Sequence, residues 1–210
     1  MLAIVDYEAG NQTSVARALK SLGIACLITD SPQTLACADG VIFPGVGAAP
    51  QAMRKLEASG IGDILRSIVE KNIPLLGICL GCQILLEESE EGPCKCLGIL
   101  PGKARKFHDN LRQEDGSAAP VPHMGWNGIR KVGQSRILEG IADNAEFYFV
   151  HSYYPEPAEE MVLATTSYGR KFCAIYGRDG LWAAQFHPEK SGRAGLGLLA
   201  NFNAWCEGKR

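Results

Sequence analysis

Three residues, Cys79, His187 and Glu189, have the types and settings of a nucleophile, a base and a carboxylate that orients the base. Cys79 lies in PLLGICLGCQILLE, where an apolar run ends at Gly77-Ile78 and Leu80-Gly81 opens a helical pattern. The small residues at 77 and 81 permit the close backbone approach of a strained strand–nucleophile–helix turn. Such a turn lifts the thiol above the carboxyl end of a sheet. It also sets backbone N–H groups and a helix N-terminus beside developing negative charge. A thiolate held there is stabilised and open to substrate. Gly-x-Cys-x-Gly alone also fits a structural cysteine at a sheet end; its flanks favour the elbow.

The base comes from LWAAQFHPEKS. Leu181–Phe186 reads as a buried strand, with His187 emerging near its end. In an extended segment residues 187 and 189 point to the same side. Glu189 can then orient the imidazole, directly or after a small backbone adjustment, while His187 faces Cys79. Pro188 helps to fix the direction of the segment. The competing role for His187 is a satisfied histidine at a strand exit. Together the three residues suit acyl transfer from an amide or ester. Cys79 attacks the carbonyl, His187 takes its proton and later supplies one to the leaving amine, and water activated by His187 hydrolyses the thioester. They establish a reaction class without naming the acyl donor.

The other cysteines invite different chemistry. Cys79-x-x-Cys82 with Cys94-x-Cys96 has the look of a four-thiolate zinc site, but that would consume the nucleophile as a ligand. A disulfide framework is disfavoured in a chain of 210 residues that builds a core without staples and shows no secretion signal. Cys26 and Cys173 sit in apolar runs, where a thiol behaves as a small hydrophobe.

The elements that must position these groups follow from the apolar pattern. Leu2–Val5, Ala25–Ile28, Gly40–Phe43 and Pro74–Ile78 read as strands. Val15, Ala18, Leu19 and Leu22 recur at helical spacing, Gln51–Val69 reads as one or two surface helices broken near Gly60, and Leu80–Glu88 as a helix. Strands apolar on both faces and alternating with helices call for a parallel sheet covered on both sides. Shorter runs at Phe147–Val150, Val162–Thr165, Phe172–Ile175 and Leu181–Phe186 predict added, partly antiparallel strands on the same sheet. Leu196, Leu199, Phe202 and Cys206 form a last helical stripe, and residues 108–120 a polar loop. One α/β domain over residues 1–210 is the simplest assignment.

Composition excludes other classes. The chain is 46% hydrophobic and 21% charged with a net charge of -2, which gives no general basic surface for nucleic acid. Asp6 interrupts the first apolar run, and no run reaches the roughly 18 apolar residues of a membrane helix. A cytoplasmic protein is expected.

Seven segments carry a resemblance: Asp6-Tyr7 with Gly10-Asn11, FPGVGAAPQAM, LLGICLGCQILLE, LGILPGKARKF, VPHMGWN, FYFVHSYY and QFHPEKS. GICLG and FHPE resemble the class I, triad-type glutamine amidotransferases. PHMGWN, PGVG and HPEKS together resemble, more narrowly, the glutaminase subunits of imidazole glycerol phosphate synthases. The resemblance implies a three-layer class I amidotransferase-like fold, with Cys79 as nucleophile, His187 as general base and acid, and Glu189 as its orienter. It implies an oxyanion strand at Gly45, Val46 and Gly47 and a second backbone donor at Leu80. Gln83 and the backbone around His151, Ser152 and Tyr153 would bind glutamine. By residue type alone, Gln83 is equally an ordinary polar helix residue and His151 a satisfied strand-end histidine. Asp6, Tyr7, Asn11, His123, Met124, Trp126 and Lys190 resemble the partner-facing region; a buried core role for Trp126 and for His123 and a solvated one for Lys190 are the alternatives. The implied partner is a (β/α)8-barrel cyclase subunit that receives the ammonia in a heterodimer. No cofactor or metal is implied. Two departures stand out: Glu8 replaces a common glycine, and Cys82 a common methionine.

Overall fold

The structure, a computed structural model, describes residues 1–7, 11–113 and 115–208. Glu8 and Gly10, which carry a departure and part of a motif noted above, lie outside them. The first half alternates β1 (Leu2–Val5), α1 (Gln12–Ser21), β2 (Cys26–Thr29), α2 (Pro32–Ala36), β3 (Gly40–Gly45), α3 (Ala49–Ser59), α4 (Ile61–Glu70), β4 (Leu75–Cys79) and α5 (Leu80–Ile84). Then come β5 (Glu88–Ser89), β6 (Cys94–Lys95), β7 (Gly102–Lys106), β8 (His123–Gly128) and β9 (Arg130–Lys131). The chain closes with β10 (Glu146–His151), β11 (Tyr153–Pro157), β12 (Val162–Ser167), β13 (Lys171–Arg178), β14 (Leu181–Ala184) and α6 (Gly192–Gly208).

Eight strands form the main sheet in the order β2-β1-β3-β4-β14-β13-β12-β9. From β2 to β14 every pairing is parallel; β13, β12 and β9 continue it antiparallel. Side chains alternate across it with a period of two. Leu2, Ile4, Ile42, Leu76, Ile78, Trp182 and Ala184 pack on one face with Val15 and Leu19 of α1 and Leu198, Leu199 and Phe202 of α6. Ala3, Val5, Val41, Phe43, Leu75 and Ala183 pack on the other with Leu35, Leu56, Leu65 and Ile68 from α2, α3 and α4. The result is three layers, helices over sheet over helices. Burying each large apolar side chain this way contributes roughly 1.5–3 kcal/mol before entropic costs.

The structure departs from the sequence reading in several places. β2 is an edge strand, so Leu27 and Ile28 are exposed rather than buried on both faces. The helix after Cys79 stops at Ile84 instead of reaching Glu88. The carbonyls of Ile84, Leu85 and Leu86 accept from Leu97, Ile99, Leu100 and Gly98 N–H groups, which takes the place of further helical turns. β10 does not join the main sheet; it pairs antiparallel with β8. The strand leading to His187 ends at Ala184. Residues 108–120 contribute only an isolated bridge between Arg112 and Ala118 among their described members. No helix among the described residues is long and apolar enough to cross a membrane.

Candidate active site

β4 runs directly into α5, and the turn falls on Cys79, whose φ is 55° and ψ -112°. A non-glycine residue rarely adopts positive φ, and such strain persists only where the surroundings over-determine it. Here β4 is hydrogen-bonded between β3 and β14, with Gly45 opposite Cys79. The first turn of α5 presses on β3: a Cβ at Gly81 would lie 2.0 Å from the Phe43 carbonyl oxygen. Any side chain at 81 would push the helix off the sheet and undo the elbow. The thiol itself is buried to 6% exposure and lines a cavity.

β14 is the parallel neighbour of β4, with Ala184 opposite Ile78. The chain leaving β14 therefore emerges beside the one leaving β4, which brings His187 to Cys79's pocket. Residues 187 and 189 are not in an extended segment, as the sequence spacing suggested. Pro188–Lys190 form a tight helical turn that folds Glu189 back under the ring. The Nδ1 of His187 lies 2.8 Å from Glu189 Oε1, with both side chains almost wholly buried. Asn11 Nδ2 donates to the same oxygen at 2.9 Å. Ser191 ties the turn down: its hydroxyl donates to the His187 carbonyl and accepts from the Tyr148 N–H, while the His187 N–H donates to the Tyr148 carbonyl.

Because a carboxylate only accepts, Nδ1 carries a proton and Nε2 is the atom left for chemistry. Nε2 makes no closed hydrogen bond among the described residues. Contacts of this kind often tighten only with substrate present. Burial pulls the imidazole pKa down, but interaction with Cys79 and then with Glu189 outweighs it and lifts the value to about 10. The site thus favours a protonated His187 beside Cys79.

The cavity over the thiol has a volume of about 370 Å³ and is lined by Val46, Gly47, Leu80, Gln83 and the 150–153 segment as well as by Cys79 and His187. Gly47 has a φ of 90°, a conformation that leaves its peptide free to present N–H or C=O to the cavity at little cost. Gln83 is buried, and its Nε2 donates to both the Tyr153 carbonyl, at 2.8 Å, and Gln185 Oε1, at 2.9 Å. Both of its N–H groups are spent, so a ligand can meet Gln83 only at Oε1. His151 Nδ1 also donates to the Tyr153 carbonyl at 2.8 Å, which fills that oxygen's two lone pairs.

That bond fixes the tautomers of a buried histidine pair. His151 carries its proton on Nδ1, so its Nε2 accepts from His123 Nδ1 at 3.0 Å, and His123 Nε2 accepts from Asn127 Nδ2 at 3.5 Å. Both rings are neutral. Burial lowers His123 to about 4 and, with the neighbouring His123, lowers His151 to about 3. Depressed folded values mean that the unfolded chain takes up protons first as pH falls. The pair's stabilisation is complete above the unfolded value of about 6.5 and is lost as pH falls toward about 3. Urea midpoints of the wild type should therefore fall between pH 7 and 5 by the equivalent of roughly 2 kcal/mol per ring. His151→Asn should flatten that dependence, and an unchanged slope would show that these rings do not titrate with unfolding.

The residues expected to face a partner divide in two. Met124 is 62% exposed, Trp126 is 55% exposed, and Lys190 is exposed beside the cavity. Tyr7 and His123 are buried, which corrects the expectation that they touch a partner directly. Tyr7 packs on Phe43 and His123 stacks on Phe149 and Tyr168. Asn11 is part-buried and holds Glu189, and Asp6 accepts from Gln12 at the start of α1. Sequence reasoning missed Gln185, Ser191 and the second role of Asn11. Gln185 abuts the FHPE motif, but nothing in its type announced a buried contact with Cys79.

The class-I glutamine amidotransferase family model matches residues 3–204. Imidazole glycerol phosphate synthase subunit HisH of Desulfovibrio desulfuricans is 63% identical over 210 residues, covering 100% of this chain and 97% of that protein. The subunit HisH of Nitratidesulfovibrio vulgaris is 59% identical over 206 residues, 98% of this chain and 97% of that one. Among solved structures, a glutamine amidotransferase superposes with a TM-score of 0.73 at 21% identity, covering 98% of each chain. PurLQS from Thermotoga maritima superposes with a TM-score of 0.71 at 15% identity, covering 97% of each chain. These two likenesses speak to the fold alone. With a three-layer sheet, a cysteine elbow and a family match along nearly its whole length, the chain belongs to the class-I glutamine amidotransferases.

Proposed function

We propose that this chain is the glutaminase subunit of an imidazole glycerol phosphate synthase. It hydrolyses L-glutamine to L-glutamate and ammonia and hands the ammonia to a (β/α)8-barrel cyclase subunit in histidine biosynthesis. That subunit forms imidazole glycerol phosphate and aminoimidazole carboxamide ribonucleotide. The observation that carries the chemistry is the meeting of Cys79 with the buried His187–Glu189 pair in one cavity. The near-full-length identity to HisH subunits supports the pathway.

In this assignment Cys79 Sγ attacks the side-chain amide carbon of glutamine. His187 keeps the thiol proton and delivers it to the departing nitrogen, which leaves as ammonia while the glutamyl group stays on Cys79 Sγ as a thioester. Water, losing a proton to His187, then attacks the thioester. Glutamate departs as the electron pair returns to sulfur. Glu189, held by Asn11, keeps Nδ1 protonated throughout. The Leu80 N–H and a peptide of the 45–47 strand receive the oxyanion; Gly47 is the position able to turn its peptide for this. Gln83 Oε1 accepts from the amino group of glutamine. The whole of residues 1–210 serves as a single domain, and the eight free thiols suit a reducing cytoplasm.

The face leading to the barrel is built on β8 and the catalytic turn. The Trp126 ring stands edge-on to Tyr148 at 6.1 Å, and Lys190 Nζ lies 5.9 Å over the Tyr148 ring. Exposed aromatic anchors of this kind dominate binding energy where they are covered. Trp126→Ala should weaken the complex roughly 30-fold, about 2 kcal/mol, when titrated by calorimetry against the cyclase. The functional test is glutamate production by the purified chain alone, with cyclase, and with cyclase plus its nucleotide substrate. Strong stimulation in the last condition is expected. Equal rates in all three would remove the pathway assignment.

A further inference from the structure

Gln185 is fully buried, one residue past the end of β14, and its N–H donates to the Ala174 carbonyl at 2.9 Å. The direction of its side-chain amide is fixed by its neighbours. The Tyr153 carbonyl can only accept, so Gln83 must turn its NH2 toward it, at 2.8 Å. The second hydrogen of that NH2 goes to Gln185 Oε1 at 2.9 Å. The Cys82 thiol approaches the same oxygen at 3.8 Å as a second donor. With its oxygen held on that side, Gln185 must present its own NH2 on the other, where Cys79 Sγ lies 3.9 Å away. A flipped amide would set two NH2 groups against each other in a buried site.

We infer that Gln185 is a further catalytic residue, whose side-chain N–H donates to Cys79 Sγ and stabilises the thiolate, a role that rests on Cys79 being the nucleophile. The contact is long for a neutral thiol and strengthens as charge collects on sulfur, because a bond to an ionised acceptor is shorter and about twice as strong. It acts twice per turnover. It favours loss of the thiol proton to His187 before attack. It again meets the electron pair that returns to sulfur when the thioester is cleaved. The other titratable groups interacting with Cys79 are His187, the Tyr7 hydroxyl and the Cys82 thiol. Burial, with the charge of Cys79 adding to it, raises the last two, so both stay neutral near pH 7. Neither is hydrogen-bonded to the sulfur.

The test is the pH profile of iodoacetamide alkylation at Cys79, read by mass spectrometry on the complex with the cyclase, for wild type and Gln185→Met. Methionine keeps the length of the side chain and removes the donor. Alkylation should slow by up to roughly tenfold on the acid side of the profile, which should be displaced upward by about one pH unit. At high pH it should recover to the wild-type plateau or exceed it, since a less stabilised thiolate is the better nucleophile. A profile that does not move, or one depressed equally at every pH, overturns the role, because a merely structural residue gives one of those results. Should the variant fail to fold, the wild type still decides. The side-chain amide protons of Gln185 should shift downfield in NMR spectra as Cys79 ionises and return on alkylation; static resonances overturn the inference. Glutaminase activity surviving complete alkylation of Cys79 would instead remove the nucleophile assignment itself.

Discussion

Replacing Cys79 by alanine should lower glutamate formation by roughly 10⁵-fold, to near the background of the assay, in the complex with cyclase and its nucleotide substrate. No other thiol can take over. Cys82 is fully buried with its side chain turned to Gln185, and the remaining cysteines lie outside the cavity. The fold should tolerate the change well. Alanine meets the same backbone cost at a φ of 55° as cysteine does, and the atom removed borders the cavity, although the Gln185 amide 3.9 Å away loses its acceptor. Ammonium salts should restore cyclase turnover in the variant complex, because the barrel needs ammonia and not its source. That rescue separates a missing nucleophile from a disrupted assembly. Glutamate formation equal to wild type would remove Cys79 from the mechanism.

Glu189→Ala should reduce kcat by roughly 10³–10⁴-fold with little change in KM, as loss of the orienting carboxylate does where a histidine serves as base. The variant leaves the His187 Nδ1–H and the Asn11 amide without their shared acceptor in a buried site. His187 loses an interaction that raises its pKa, so its imidazolium form weakens as well. Glu189→Gln should be milder, on the order of 10²-fold. Asn11 Nδ2 can only donate, so it should hold the glutamine oxygen where Oε1 now sits and thereby keep His187 in the correct tautomer. Only the negative charge would be lost. Measured kcat ranked wild type, Gln, Ala in descending order is the expected result. Equal losses in the two variants would mean that charge alone, and not orientation, is what Glu189 supplies.

Much of the fold was legible because its signals are local. Four of the five parallel strands are continuous apolar runs, and their alternation with helices implies a covered parallel sheet. Where those runs stop was less legible. Leu85 and Leu86 look like the next turn of a helix, yet their carbonyls are taken by the 97–100 segment. No spacing rule anticipates such a competitor. β10 alternates like any sheet strand, and only the position of β8 decides that it pairs outside the main sheet. The site divides in the same way. Cys79, His187 and Glu189 stand in short motifs that name their chemistry. Tyr7 and His123 stand in motifs just as readable, but exposure is a property of the packed chain, and both proved buried.

The sequence by itself determined the reaction class, the three residues proposed to perform it, the layered α/β design and the kind of partner. Cys79 with its flanks, His187 and Glu189 carried the reaction class, while the kind of partner came from the resemblance of PHMGWN, PGVG and HPEKS to one group of amidotransferases. The tertiary structure decided how the thiol is surrounded. β14, about 100 residues further along the chain, lies beside β4 in parallel, and that adjacency brings His187 and Gln185 to Cys79. A tight turn, not an extended strand, sets Glu189 under the imidazole. Such facts depend on strand order and on the directions in which buried amides must donate. Residue type and spacing do not encode them, because they arise only when distant segments compete for the same hydrogen bonds.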